Sequence, residues 1–318
     1  MNITFLDSST LHHKNDLDLS PLKQFGDLTL YETSSIEEIA TRIADAEIVI
    51  TNKAVLNKEL IEGAKNLKLI LSAATGVNQI DLEAAKAHDI TVCNVAGYST
   101  PSVAQHAFTF LLNFATSIPK LDSEKQQWPQ SPIFTRLDYP AFDLQGKTLG
   151  IIGLGAIGKE VAKIAQAFGM NVQALNSSAS SAPSGEIPRV NLEALLKTSD
   201  VISLHCPLTE ETKHLINRES LSMMKSTAFL INTGRGPLIN EPDLAEALDK
   251  GIIAGAGLDV LSVEPPAEDN PLIHSQHPNL FITPHTAWAT IEARHRLLDG
   301  LVENIKNYLA GCPSNQVV

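Results

Sequence analysis

The stretch Lys147-TLGIIGLGAIG-Lys159 decides the fold, because an apolar run ends in the pattern Gly153-x-Gly155-x-x-Gly158 and leads directly into a helical pattern. Thr148–Ile152 has the composition of a buried parallel strand. Gly153 permits a tight turn, Gly155 lets a pyrophosphate approach bare backbone, and Gly158 lets the helix pack close to the sheet. The N-terminus of that helix directs its positive dipole at the phosphates. The motif therefore predicts a dinucleotide site, formed by Gly153, Gly155, Ala156, Ile157 and Gly158.

Short apolar runs alternate with helical patterns on both sides of this motif, which is typical of parallel α/β architecture. The strands predicted before it are Ile3–Leu6, Leu28–Tyr31, Ile48–Thr51, Leu69–Ser72 and Val92–Asn94. The strands predicted from the motif onward are Thr148–Ile152, Val172–Leu175, Val201–His205, Ala228–Asn232, Gly255–Leu258 and Phe281–Thr283. We therefore predict an α/β protein with two doubly wound parallel-sheet domains.

The domain boundaries follow from the segments outside these two sets. The 318 residues exceed the usual size of one hydrophobic core. Between the sets lie a helix predicted over Pro101–Ile118 and a proline-rich segment, Trp128–Pro140, interpreted as a linker or arm. The helical pattern Ala289–Leu309 follows the last strand and has no place in the second set. We predict a substrate (catalytic) domain of residues 1–99 and 287–318, and a dinucleotide-binding domain of residues 100–286.

Composition argues against several classes of partner. The net charge is -12 and no basic run is present, which disfavours nucleic acid and anionic membrane surfaces. The three cysteines lack ligand spacing, which predicts reduced thiols and no metal site. The chain begins without a leader-like segment and contains no apolar run of membrane-spanning length. We expect a cytoplasmic protein that acts on a small molecule.

Three polar residues stand near the ends of predicted strands in the second set, where ligands of open parallel sheets bind. The guanidinium of Arg235, in the sequence NTGRGP, suits bidentate binding of a carboxylate. His285, in TPH, can deliver or remove a proton near neutral pH. Glu264, in SVEPP, would orient that ring and stabilise its protonated form if the two side chains meet. The alternative interpretations are an arginine in a solvated turn and a structural histidine.

Two further features of the sequence bear on the site. The backbone N–H groups of Gly76 and Val77, in the glycine loop Ser72–Asp81, could bind a carboxylate, although an ordinary turn between strand and helix would have the same composition. His106 and His205 lie in helix and strand patterns and are interpreted as hydrogen-bonded structural histidines.

Seven segments carry recognisable motifs. They are GVNQID at 76–81, STPSVAQH at 99–106, GIIGLGAIG at 150–158, HCPLT at 205–209, NTGRG at 232–236, GLDVLSVEPP at 257–266 and TPH at 283–285. In this order they resemble the D-isomer-specific 2-hydroxyacid dehydrogenases over essentially the whole chain. The wording NTGRGPLINE and AGLDVLSVEPP is most similar to the bacterial glycerate dehydrogenases of that family, also called hydroxypyruvate reductases.

The resemblance implies a role for each motif residue. Arg235 would bind the substrate carboxylate and carbonyl. His285 would be the acid/base and would also contact substrate and cofactor, and Glu264 would pair with His285. Gly76 and Val77 hold the substrate carboxylate. The remaining implied cofactor-binding residues are Pro207, Thr209, Thr233, Gly234 and Asp259, the last of which holds the nicotinamide carboxamide.

The resemblance also implies the architecture and the reaction. The expected architecture is a Rossmann cofactor domain and a discontinuous flavodoxin-like substrate domain, with the active site in the cleft between them, in a homodimer. The expected reaction is hydride transfer between NAD(P)H and the C2 carbonyl of a small 2-oxo acid, taking hydroxypyruvate or glyoxylate to D-glycerate or glycolate. The alternatives are another 2-oxo acid, of the D-lactate or 3-phosphoglycerate type, and a dinucleotide-sensing regulatory binding protein.

The choice between NAD and NADP depends on the end of the second cofactor strand. An NAD-selective site has an acidic residue there, which binds the ribose hydroxyls. This chain has Asn176, followed by Ser177 and Ser178, which could donate hydrogen bonds to a 2'-phosphate. No arginine follows until Arg189. We therefore expect weak discrimination between the two cofactors, leaning towards NADP(H).

Overall fold

The computed structural model describes residues 1–14, 16–176 and 187–318. It divides the chain into two compact units, Met1–Ser99 with Ala289–Val318, and Thr100–Trp288. We call them unit 1 and unit 2. Ser177 and Ser178, named above for the 2'-phosphate, lie outside the described residues.

Strands and helices alternate through both units. The strands are β1 Asn2–Phe5, β2 Asp27–Leu30, β3 Ile48–Thr51, β4 Leu69–Ser72, β5 Thr91–Cys93, β6 Thr148–Ile152, β7 Asn171–Leu175, β8 Arg189–Val190, β9 Val201–Leu204, β10 Phe229–Asn232, β11 Gly255–Leu258 and β12 Leu280–Ile282. The helices are α1 Ile36–Ile43, α2 Lys58–Gly63, α3 Leu82–Ala87, α4 Thr100–Thr116, α5 Ile118–Ser123, α6 Ala156–Ala167, α7 Leu192–Thr198, α8 Arg218–Met223, α9 Glu241–Asp249 and α10 Ile291–Leu309. Among the described helices, none combines the length and hydropathy that crossing a membrane requires.

Unit 1 is built on a parallel five-stranded sheet in the order β2-β1-β3-β4-β5, which is the flavodoxin-like order. Its inner strands β3 and β4 are buried along their whole length and read IVIT and LILS, as expected where helices cover both faces of a sheet. The helix α10 belongs to this unit. Its Asn304 donates from Nδ2 to the carbonyl of Asn94 at 2.7 Å, just beyond β5. The segment after α10 then pairs with β5, where Val317 N donates to Val92 O at 2.7 Å.

Unit 2 is built on a parallel seven-stranded sheet in the order β12-β11-β10-β9-β6-β7-β8. Counted within the unit, this is the Rossmann order with one strand added at the edge. The chain order reverses between β6 and β9, so the carboxyl ends of these two neighbours form the switch point at which such sheets bind ligands. The prediction of two doubly wound α/β domains is confirmed.

The helix α4 is packed against the sheet of unit 2 through its phenylalanines. The ring of Phe114 is stacked on Phe229 and Phe281 with centroid distances of 4.5 and 5.2 Å. Phe110 lies against Gly257 of β11, where a side chain would overlap its ring. α4 ends at Thr116, two residues before the predicted end, because Ser117 adopts a left-handed φ of 53°.

Every predicted strand is present, each within one residue of its predicted bounds. The sequence analysis missed β8. This strand has two residues, too few to show an alternating pattern, and is defined by its pairing with the end of β7.

Candidate active site

The glycine turn after β6 has the arrangement that its sequence predicts. Gly153 has a φ of 101° and lies against the backbone of His205 and Cys206, so a side chain there would overlap both. Gly158 lies in the first turn of α6 against the carbonyl oxygen of Gly153 and is equally closed to a side chain. Gly155, the residue that precedes α6, faces open space. This exposed opening at a helix N-terminus fits a phosphate group, and Ala156 and Ile157 complete it.

The loops that follow β9 and β10 flank this turn. His205 Nε2 is 2.8 Å from the hydroxyl of Ser203, and its Nδ1 is 3.5 Å from that of Thr233. Burial lowers the pKa of His205 to about 4, so the ring is neutral and adds no charge beside the turn. In the loop after His205, Thr212 accepts a hydrogen bond from Thr209 N at 2.7 Å and donates one to Pro207 O at 2.8 Å.

The end of β7 carries Asn176, which is exposed. Its backbone N–H donates to Val190 O of β8 at 2.8 Å. The pairing of β7 with β8 also places the guanidinium of Arg189 here, since its Nη1 donates to the carbonyl of Leu175 at 2.9 Å. A positive charge therefore lies one residue from Asn176, the position predicted to select the cofactor.

Arg235 follows β10 in a turn that Asn232 holds from both sides. Asn232 Nδ2 donates to Arg235 O at 2.9 Å, and its Oδ1 accepts from Gly234 N at 3.0 Å. The Arg235 side chain is exposed and donates to the carbonyl of Gly234 at 2.8 Å. Gly236 packs so tightly on the backbone of Leu261 that a side chain would overlap it. The turn that carries Arg235 is thus packed on the segment that leads to Glu264.

Glu264 and His285 are in direct contact. Glu264 Oε2 lies 2.6 Å from His285 Nδ1, and Oε1 accepts from the backbone N–H of Leu261 at 3.1 Å. The two side chains are about one-third exposed, at 33% and 29%. Because the carboxylate occupies Nδ1, the ring presents Nε2 as its second proton-carrying atom. The structure therefore contains a partly exposed imidazole that is oriented by a carboxylate.

The turn that carries His285 is held by Asp259, whose side chain is buried. Asp259 Oδ1 accepts from Thr283 Oγ1 at 2.6 Å and from Thr286 N at 2.9 Å, and Oδ2 accepts from Ala287 N at 2.9 Å. His285 itself has a φ of 52°, which residues with a side chain rarely adopt. The next two residues, Thr286 and Ala287, are therefore both held by the Asp259 carboxylate through their backbone amides.

The other two predicted binding residues, Gly76 and Val77, lie in unit 1 after β4. Ser72 donates from Oγ to Gly76 O at 2.7 Å, and Gln79 Nε2 donates to the same hydroxyl at 2.9 Å. Within the described residues, neither the Gly76 nor the Val77 amide donates to another group of the protein. Among the described residues there is also no group of three or more histidines, cysteines or acidic residues that could hold a metal ion.

A family model and several relatives match this chain over most of its length. Residues 108–287 match the model of the D-isomer specific 2-hydroxyacid dehydrogenase, NAD binding domain. The chain belongs to this family. The dehydrogenase is 42% identical to a hydroxypyruvate reductase of Blautia hydrogenotrophica, over 100% of this chain and 99% of that protein. It is 44% identical to a glycerate dehydrogenase of Methylorubrum extorquens, over 88% of each chain.

The dehydrogenase also resembles solved structures over its full length. An acyclic imino acid reductase in complex with NADPH and D-Arg is 34% identical, with a TM-score of 0.88 and coverage of 100% of both chains. The family model and this neighbour together establish that the cofactor class is NAD(P)(H).

Sequence reasoning overlooked two features of the dehydrogenase's site. Arg189 was named but interpreted as lying too far along the chain, because no local pattern signals the pairing of β8 that brings it to the end of β7. Asn232, which holds the Arg235 turn, has a signal in the sequence, since an asparagine two residues before a glycine at a strand end is typical of side chain to backbone hydrogen bonding.

The glycine turn gives a matched pair of variants. Gly158→Ala places a methyl group against the Gly153 carbonyl, so we expect it to lower the free energy of unfolding by about 1–3 kcal/mol. Gly155→Ala meets no atom within 4 Å and should leave unfolding unchanged while weakening NAD(P)H binding. Denaturant unfolding and fluorescence titration of the cofactor check the two effects. Wild-type NAD(P)H binding in Gly155→Ala would contradict the assignment of Gly155 to the phosphate.

Proposed function

We propose that this dehydrogenase reduces hydroxypyruvate to D-glycerate with NAD(P)H, and glyoxylate to glycolate as a smaller substrate of the same kind. The observation that carries the proposal is the His285–Glu264 pair, with 2.6 Å between Nδ1 and Oε2, on a turn at the carboxyl end of the sheet. The names of the two bacterial relatives support the choice of substrate, at 42% and 44% identity.

His285 is the proton donor in this proposal. With Nδ1 directed at Glu264, the proton on Nε2 is the one available to the C2 oxygen, and a bound NAD(P)H supplies the hydride to C2. The protonated imidazole becomes neutral as its Nε2 proton passes to the new hydroxyl. Glu264 stabilises the protonated ring before transfer and keeps its plane fixed, so that the proton is delivered in one direction.

Arg235 binds the substrate carboxylate in this proposal. Its guanidinium is exposed, and the bond it makes to Gly234 O uses one of five N–H groups. Because Asn232 and the packing of Gly236 fix the turn, the charge is presented from a rigid base. In unit 1, the amides of Gly76 and Val77 are the proposed backbone donors to a carboxylate.

We further propose weak discrimination between NADH and NADPH, leaning to NADPH. Asn176 lacks the negative charge that would repel a 2'-phosphate. The guanidinium of Arg189, held over the end of β7 by its 2.9 Å bond to Leu175 O, supplies a charge that attracts one. The NADPH complex of the imino acid reductase shows that this fold accommodates that cofactor.

A homodimer formed through the arm after α5 is also part of the proposal. Within this segment Arg136 donates to Glu124 Oε2 at 2.8 Å and to Asp138 Oδ2 at 2.6 Å. Phe134 is 90% exposed and Leu137 is 80% exposed. Apolar side chains this exposed on a segment held by its own ion pairs are suited to the same segment of a second copy.

We place the enzyme in the cytoplasm. The cysteines at 93, 206 and 312 are all free thiols, and Cys312 is exposed. Unpaired thiols are usual in reducing compartments, where NAD(P)H is also supplied.

The catalytic roles predict different kinetic losses. We expect His285→Gln to lower kcat for hydroxypyruvate about 10²- to 10⁴-fold, because the proton donor is lost. Glu264→Gln keeps an acceptor oxygen and should lower kcat less, whereas Arg235→Gln should mainly raise KM for hydroxypyruvate. Steady-state kinetics and the dissociation constant for NADH measure these effects. Near-normal turnover in His285→Gln would remove it from the mechanism.

The cofactor preference depends on two side chains. For the wild-type enzyme we expect the kcat/KM values with NADH and NADPH to differ by less than about a hundredfold. Asn176→Asp should shift that ratio towards NADH, and Arg189→Gln should raise KM for NADPH about tenfold with little effect on NADH. Arg218→Gln is the control, since Arg218 lies on α8 and forms an ion pair with Glu246 of α9. A wild-type preference for NADH above about a hundredfold would rule out the proposed leaning.

The arm predicts the oligomeric state. Phe134→Glu combined with Leu137→Glu should convert a dimer to a monomer, because charges replace the exposed apolar side chains. Light scattering after size-exclusion chromatography measures the mass. Ile36→Glu, at an exposed apolar position on α1, is the control and should leave the dimer intact. A wild-type monomer, or a dimer that survives both charges, would contradict the proposed interface.

A further inference from the structure

The backbone of the His285 turn is not stable by itself. His285 adopts a left-handed φ of 52°, which costs a residue with a side chain free energy unless its surroundings enforce it. The surroundings are the contacts of Asp259. Its carbonyl accepts from His285 N at 2.8 Å, and its carboxylate accepts from the next two backbone amides, at Thr286 and Ala287.

A third hydrogen bond to the same carboxylate comes from Thr283, and it continues to another helix. Thr283 Oγ1 lies 2.6 Å from Asp259 Oδ1 and 2.9 Å from His106 Nε2 on α4. An ionised carboxylate only accepts hydrogen bonds, so the single hydroxyl proton of Thr283 goes to Asp259. His106 Nε2 must therefore carry a proton and donate it to Thr283. This fixes a donor chain from His106 through Thr283 to Asp259.

The ring of His106 is itself held on α4. It packs edge-on against Phe110, one turn further along, with a centroid distance of 4.9 Å and an angle of 89°. Phe110 in turn lies against Gly257, which is two residues before Asp259. A side chain at position 257 would overlap the Phe110 ring. The packing of Phe110 on Gly257 therefore sets the distance between α4 and β11. His106 Nε2 also lies 3.6 Å from Asp259 Oδ1.

We propose that His106 and Thr283 are positioning residues for His285, acting through Asp259. The chain of hydrogen bonds sets where the Asp259 carboxylate lies, and that carboxylate sets the left-handed turn from which the imidazole projects. Neither His106 nor Thr283 exchanges a proton with the substrate in this scheme. The inference rests on the proposed role of His285 in catalysis.

The two bonds can be removed separately, with a conservative variant for each. Thr283→Val removes the hydroxyl at constant shape, and Thr283→Ser keeps it. His106→Leu removes the donor, and His106→Gln keeps an N–H at the reach of Nε2. Thr116→Val is the control, because the Thr116 hydroxyl bonds only to Leu112 O within the exposed face of α4.

We expect Thr283→Val and His106→Leu to lower kcat for hydroxypyruvate about 10- to 100-fold, as a misplaced proton donor would. The dissociation constant for NADH should rise less than kcat falls in both, since Asp259 is also the expected contact of the nicotinamide carboxamide. Thr283→Ser and His106→Gln should recover most of the lost kcat, and Thr116→Val should match the wild type. Wild-type kcat in Thr283→Val, or an equal loss in Thr283→Ser, would overturn the proposal. A lower unfolding temperature with unchanged kcat would do the same.

A second readout separates this inference from the proposed reaction. In the cofactor-free protein, the NMR signal of the His285 Nδ1 proton reports its hydrogen bond to Glu264. Thr283→Val and His106→Leu should shift or broaden that signal, and the two conservative variants should not. If hydroxypyruvate proves not to be a substrate while these shifts appear, the proposed substrate is wrong and the positioning role stands. An unshifted signal in both disruptive variants would overturn the positioning role whatever the substrate is.

Discussion

The buried carboxylate of Asp259 is the interaction on which the rest of the site in unit 2 depends. At 1% exposure, this charge would be very costly without partners. It has three donors from one short turn, so the turn cannot relax without leaving a buried charge unpaired. That penalty is larger than the cost of a single left-handed residue, which is why a histidine can occupy a conformation otherwise typical of glycine. The position of the imidazole thus follows from the hydrogen bonds that the buried Asp259 carboxylate requires.

Close contacts between backbone segments determine the shape of the glycine turn after β6 and of the turn that carries Arg235. Gly153, Gly158 and Gly236 each lie where a side chain would overlap the backbone of a neighbouring segment. These contacts bring strand ends and loops nearer to one another than side chains allow. Gly155 differs, because the space beside it is open. Packing therefore accounts for Gly153 and Gly158, whereas Gly155 is accounted for only by its predicted contact with the pyrophosphate.

The sequence predicted well what depends on neighbouring residues. The strands and the glycine turn follow from short motifs, because the apolar run and the glycine spacing are local. The residues alone left open whether Glu264 meets His285, and the pairing was expected only from the family resemblance. The features that the sequence analysis missed depend on pairing across long separations. Arg189 reaches the end of β7 through a two-residue strand, and His106 meets Thr283 across 177 positions of the chain. His106 was interpreted only as a structural histidine, since a helix pattern does not reveal what its polar residue faces.

The composition of unit 1 has a consequence for how the protein is made. Unit 1 combines residues from both ends of the chain, whereas unit 2 is one continuous segment. On the ribosome, β1–β5 emerge first but lack α10 and the pairing of Val317 with Val92 until residues 289–318 have been synthesised. Unit 2 can complete its sheet before then, since domains generally fold as units during synthesis. Unit 1 therefore begins to emerge before unit 2 but is completed after it, and β5 lacks its pairing with the last segment until Val317 has been synthesised.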